Sequence, residues 1–265
     1  MMCRAMPPDC IFVPNYDSLM TLDETYLKTL VPERFLSDER YRRGHIAILA
    51  APAGTRILGM HSPEMKQVAK AVARDDFRHQ LSHWASARPL TGADGLSHEE
   101  RMIWGLVLDY AKMPLQERMQ QIGLFLPCID NWAICDTFCC NAKWVEKECK
   151  DLVWRYICKL MTSSDEFTAR AAIVLSLAHF LSGSLLGRTL HAIAARRFCD
   201  ADPYYIRMAV AWLFATALAA DYEATLPYLL ERRLDRWIHN QTIRKARESF
   251  RVSDDRKQFL KTLAY

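Results

Sequence analysis

Apolar residues recur every three or four positions along nearly the whole chain, and alternating polar and apolar runs are almost absent. Such a period buries one face of a helix and suits no strand, so the sequence predicts an all-α fold. Helix starts are marked by their chemistry. Ser97-His98-Glu99-Glu100 reads as a capping box before the stripe Met102, Ile103, Leu106, Val107 and Tyr110. Pro114 opens a helix through Leu115, Met119 and Ile122 that ends near Gly123 or Pro127, and Asn131 caps the next one. One helix is expected over Lys143 to Leu160 and another after a second box, Ser163-Ser164-Asp165-Glu166, carrying Arg170, Ile173, Val174, Leu177 and Phe180. Pro203 opens a helix through Trp212 to about Ala220, Glu223 to Arg236 forms another, and a final one carries Ile243.

Short connections make neighbouring helices antiparallel. Stacked pairs of roughly 40 residues are the signature of a HEAT-like helical repeat solenoid, whose curvature creates a concave face. A globular helical bundle is the alternative that the pattern leaves open. Residues 1–37, with Pro7, Pro8, Pro14 and Pro32, read as an N-terminal extension, irregular or forming a short helix; 38–265 form the helical domain.

Composition narrows the function classes. The 265 residues are 51% hydrophobic and 25% charged, enough for a large core. The start, MMCRAMPPDC, lacks a signal-peptide core, and the long uncharged stretch from Ala171 to Gly187 is shorter than the roughly 20 residues of a membrane span. A cytoplasmic protein without membrane contact is expected. Nine cysteines then read as reduced thiols. Cys135, Cys139, Cys140 and Cys149 contain no C-x-x-C and read as small buried hydrophobes; His79 and His83 lack the glutamate of H-E-x-x-H and read as surface or packing residues. No metal and no cofactor is expected.

Two features carry chemistry. Within LPCIDNWAICDTFCC, Trp132 and Asp136 lie one helical turn apart on one face. An indole beside a carboxylate can steady a cation, although a core tryptophan with an aspartate facing water is the plainer reading. Between Glu231 and Arg251, seven basic residues (Arg232, Arg233, Arg236, Arg244, Lys245, Arg247, Arg251) face three acids (Glu231, Asp235, Glu248). That excess of four equals the chain's net charge of +4 and suits a polyanion, or a solvated helix face. Trp144 and Trp154 read as structural.

Six blocks carry a resemblance: RILGMHSPEMKQVAKAV, EERMIWGLVLDY, LPCIDNWAICDTFC, FTARAAIVLSLAHF, YYIRMAVAWLFATAL and HNQTIRKARESFRVS. In this order, from about Tyr41 to the C-terminus, they resemble the AlkD-type DNA alkylation repair family. The resemblance implies a HEAT-like solenoid with a concave DNA-binding face, and a monofunctional DNA glycosylase of base excision repair. Such an enzyme hydrolyses the N-glycosidic bond of positively charged alkylpurines, 3-methyladenine and 7-methylguanine, in duplex DNA. It implies catalytic roles for Asp136, Trp132 and Arg170, nucleotide contact by Trp212, and backbone contact by Arg244, Lys245, Arg247 and Arg251. It also implies a phosphate contact from the loop at His61, where family members commonly carry arginine. The partner is double-stranded DNA with alkylated bases, bound by a monomer that is nucleoid-associated when on DNA. A non-catalytic DNA-binding member of the family and a protein-binding helical scaffold are the alternatives.

Overall fold

The computed structural model describes residues 21–87 and 89–265, and among them every regular element is helical. The chain divides within α8 (Trp132–Asn141) into two compact units, the first ending at Phe138 and the second beginning at Cys139. The first unit holds α1 (Glu24–Leu30), α2 (Glu33–Leu36), α3 (Glu39–Leu49), α4 (Ser62–Val72), α5 (Phe77–Ser86), α6 (His98–Tyr110) and α7 (Leu115–Phe125). The second holds α9 (Lys150–Leu160), α10 (Glu166–His179), α11 (Gly183–Ala195), α12 (Tyr204–Ala220), α13 (Tyr222–Leu230), α14 (Arg236–Glu248) and α15 (Asp254–Thr262).

In the first unit α6 is the central helix, buried nearly all round, and packs on α4, α5 and α7. A series of aromatic contacts runs through this core: Trp84 stacks on Trp104 at 5.9 Å between centroids, Trp104 meets Phe125 tilted at 5.5 Å, and Phe125 meets Phe138 edge-on at 5.3 Å. In the second unit α12 lies between α10 and α14, while α9, α11 and α13 form an outer layer against α10 and α12. Such layered helix pairs are the packing of an all-α repeat fold. The one-sided stripe of α14 (Ile238, Thr242, Ile243, Ala246) contrasts with α12, which is flanked by α10 and α14 and buried along most of its length.

Several expected boundaries are corrected. The helix expected over Lys143–Leu160 is a 3₁₀ turn at Lys143–Lys147 followed by α9, with Glu148 and Cys149 extended between them. A continuous helix would set Trp144 and Val153 about half a turn apart; the break buries both. The helix expected over Glu223–Arg236 ends at Leu230. There Arg232 takes a left-handed conformation (φ +51°), and Arg233 N–H closes on the Tyr228 carbonyl at 3.0 Å; Asp235 then caps α14. The second capping box is not formed. Asp165 alone caps α10, accepting from Thr168 N at 2.7 Å, because Glu166 reaches across to Tyr205 N at 2.8 Å. The helices α11 and α15 answer to no element expected from the sequence. Of the N-terminal extension, 1–20 lies outside the described residues, whereas Leu22 and Leu27 are fully buried and Gln80 brackets Leu22 by bonding both its N–H and its carbonyl.

Gly105 is the closest helix contact in the aromatic core. A Cβ there would lie 2.9 Å from Phe125 Cζ and 3.3 Å from Phe138 Cβ, whereas Gly123, exposed in α7, has nothing within 4 Å. Alanine gains about 1 kcal/mol of helix propensity at either site, but overpacking a core costs about 1–3 kcal/mol. Urea denaturation should therefore show Gly123→Ala stabilised and Gly105→Ala destabilised. Equal shifts of the two midpoints would contradict the close packing.

Candidate functional site

The site is assembled from the first turn of α6. Ser97 and Glu100 make the expected capping box: Ser97 Oγ accepts from Glu100 N at 3.3 Å, and the Glu100 carboxylate accepts from Ser97 N at 2.7 Å. The two neighbouring charged residues have roles that local sequence does not reveal. Glu99, fully buried, accepts hydrogen bonds from Leu58 N at 3.0 Å and Gly59 N at 2.9 Å. Burial pushes its carboxyl pKa up, and the N–H groups of Leu58, Gly59 and Met60 pull against that shift. The loop it holds needs glycine: Gly59 sits at φ +100°, and a Cβ there would lie 3.1 Å from Phe35 Cβ.

Arg101, also fully buried, donates to the Cys128 carbonyl at 3.0 Å and pairs with Asp130. Asp130 in turn accepts from Asn131 Nδ2 at 2.8 Å, and Asn131 Oδ1 accepts from Ala133 N at 3.1 Å and Ile134 N at 3.3 Å. Asn131 is thus the cap of α8 that the sequence predicts. One helical turn fixes both the loop leading to His61 and the helix carrying Trp132 and Asp136.

Between these parts lies a cavity of about 350 Å³. Trp132 and Asp136 form one wall, both half-buried, and the indole N–H donates to the Ile48 carbonyl at 3.2 Å. Met60, Met65 and Met102 supply apolar surface. Three histidines that no sequence motif joins complete it: His45 from α3, His61 before α4, and His98 from α6. Among the described residues that line it, Asp136 is the one carboxylate, and no lysine or arginine is present. The His45 and His98 rings meet edge-on at 5.8 Å. Burial, with Arg101 and His45 nearby, lowers the His98 pKa to about 3; burial and His61 lower that of His45. His61 is exposed, leaves α4 without a side-chain cap, and packs edge-on against Phe35 at 5.0 Å.

Arg170 and Trp212 belong to the second unit. Arg170 is only 5% exposed; its guanidinium donates to the Tyr205 carbonyl at 2.8 Å and lies 5.7 Å from the Tyr205 ring, so it orders the start of α12. Trp212 is half-buried in the middle of α12. Around these helix starts runs a line of rings, Phe167, Tyr205, Tyr204 and Trp237, with Arg207 4.6 Å over Trp237. The sequence shows these aromatics but not their adjacency, which joins three helices. Arg247 and Arg251 are exposed, whereas Arg244 and Lys245 share Glu248 at 3.3 and 3.0 Å and lower its pKa, Lys245 most. Cys135 and Cys139 are buried as expected; Cys140 and Cys149 are exposed, which corrects their reading as buried hydrophobes. Among the described residues no cluster of histidine, cysteine and carboxylate could hold a metal, and no helix is long and apolar enough to cross a membrane.

An all-α repeat packing, with a carboxylate and an indole on one cavity wall, defines a helical-repeat protein with a candidate site at that wall. A family model described as DNA alkylation repair enzyme matches residues 34–250, and the chain belongs to that family. No curated protein and no solved structure matches it. Membership makes this a DNA-repair protein of an enzyme family, as the sequence blocks implied.

Buried His98 ties stability to pH. His98 titrates at about 3 when folded and near 6.5 when unfolded, so below pH 6.5 the unfolded chain binds more protons. Stability is full above pH 6.5 and falls by about 1.4 kcal/mol per pH unit as pH drops towards 3. Urea unfolding at pH 7 and pH 5 should show a loss of about 2 kcal/mol from this residue, absent in His98→Gln. The same loss in the variant would remove His98 as its source.

Proposed function

We propose that this protein is a DNA glycosylase that hydrolyses the N-glycosidic bond of positively charged alkylpurines, 3-methyladenine and 7-methylguanine, in duplex DNA. The observation that carries the reading is Asp136, the one carboxylate lining a cavity shared with the Trp132 indole. An alkylated purine already bears positive charge and leaves as a neutral base, so little acid catalysis is needed. The sugar is left as an oxocarbenium ion. A fixed carboxylate facing that ion in a largely apolar cavity stabilises it electrostatically, as in glycosidases, and an indole face adds roughly 0.5–2 kcal/mol.

DNA is held through its phosphates by Arg244, Lys245, Arg247 and Arg251, with contacts at Trp212 and at His61. The exposed ring of Tyr204 and the Arg207–Trp237 pair suit the same ligand. A catalytic role for Arg170 rests on the resemblance alone.

Release of 7-methylguanine from methylated duplex DNA, measured under single-turnover conditions, tests the chemistry. Asp136→Asn should slow release on the order of 100-fold or more with DNA affinity nearly unchanged. Wild-type protein that binds DNA but releases no base would make it a non-catalytic member, and a fully active variant would remove Asp136 from the mechanism.

The electrostatic part is tested separately. Reversing Arg244, Lys245 and Arg247 to glutamate should weaken duplex binding severely and flatten its dependence on salt. Unchanged affinity would place the DNA elsewhere.

A further inference from the structure

Two of the cavity's histidines, His45 and His98, have no role in the scheme above, yet their burial is unfavourable. His98 is 2% exposed, and its Nδ1 is buried without a hydrogen-bond partner; the Nδ1 of His45 is in the same position. An unsatisfied buried polar atom costs about 1–3 kcal/mol, and methionines close the rest of the wall without that loss. A neutral imidazole offers one donor and one acceptor, which an apolar side chain of similar size does not. Both rings line the cavity that contains Asp136 and Thr137.

We propose that His98, supported by His45, positions the nucleophilic water at Asp136, an inference that rests on the glycosylase reading. In the step itself the C1′–N bond breaks and its electron pair leaves with the purine, cancelling the base's positive charge. The water oxygen then bonds to C1′. One of its O–H groups is held by an imidazole nitrogen; the other gives its proton to the Asp136 carboxylate, which passes it to solvent. His98 stays neutral throughout, because burial and Arg101 hold its pKa near 3. Neutrality matters here, since a protonated imidazole would repel the oxocarbenium ion. His98 is accordingly a positioning residue and not the base.

Positioning of a nucleophile is read from what captures the ion. Methylated duplex DNA is cleaved by the full-length protein in water–methanol mixtures, and the abasic product is assayed as the free sugar or as its methyl glycoside. In wild-type protein water should be favoured. His98→Leu should raise the methanol share about fivefold or more, with DNA affinity unchanged, and His98→Gln, which keeps a hydrogen-bonding side chain, should restore most of the preference for water. If His98→Leu does not fold, His45→Leu carries the same expectation. An unchanged product ratio in a folded leucine variant overturns the role of the histidines while leaving Asp136 catalysis intact. Wild-type protein that releases no base overturns the glycosylase reading, and this inference with it.

Discussion

The first turn of α6 determines where everything else in the site can lie. Glu99 and Arg101 are fully buried residues of opposite charge type, and each is hydrogen-bonded to a different piece of chain. Glu99 takes the N–H groups of the Leu58–Gly59 loop, and Arg101 takes the Cys128 carbonyl and Asp130. Burying a charge is costly unless it is paired and hydrogen-bonded, and removing one partner of such a set costs several kcal/mol. These bonds therefore hold their segments firmly. Since the loop leads to His61 and Asp130 leads to the cap of α8, two walls of the cavity are fixed from one helical turn.

What the cavity can do follows from which charges it admits. Arg101 is turned to Cys128 and Asp130 and is not part of the lining; burial disfavours the charged form of His98 and His45, and the methionines are apolar. On the proposed reading, Asp136 sets the local potential. Low polarity around a single carboxylate strengthens its attraction for a cation, and the Trp132 indole acts with the same sign. In the proposed function, such a cavity assists a chemistry that creates positive charge at the reacting carbon, as loss of a cationic purine does. The family to which residues 34–250 belong repairs alkylated DNA, where that leaving group arises.

Much of the fold and part of the site are legible in the sequence, for reasons that differ by residue. The caps at Ser97, Pro114, Asn131 and Pro203 are readable because capping is local chemistry. The shared face of Trp132 and Asp136 follows from one turn of helix. The break at Glu148 is not readable, because Trp144 and Val153 look like members of one apolar run until burial assigns them to different faces. The end of α13 is hidden because Arg232 adopts the left-handed conformation normally advertised by glycine. His45 and His98 are invisible as a pair: they lie 53 positions apart, and only tertiary packing brings their rings together. Glu99 passes for a solvated acid beside a capping box because nothing local indicates that a carboxylate will reach a loop 40 residues away.

Asp136, on this reading, makes the cavity selective for positive charge at the sugar. The most direct measurement compares the affinity of the protein for two duplexes that differ at one position, a cationic pyrrolidine analogue of the abasic sugar against a neutral tetrahydrofuran abasic site. The wild-type protein should favour the cationic duplex by about tenfold or more, and Asp136→Asn should lose that preference while binding the neutral duplex as before. Equal affinities in the wild-type protein, or a preference that survives in Asp136→Asn, would contradict it.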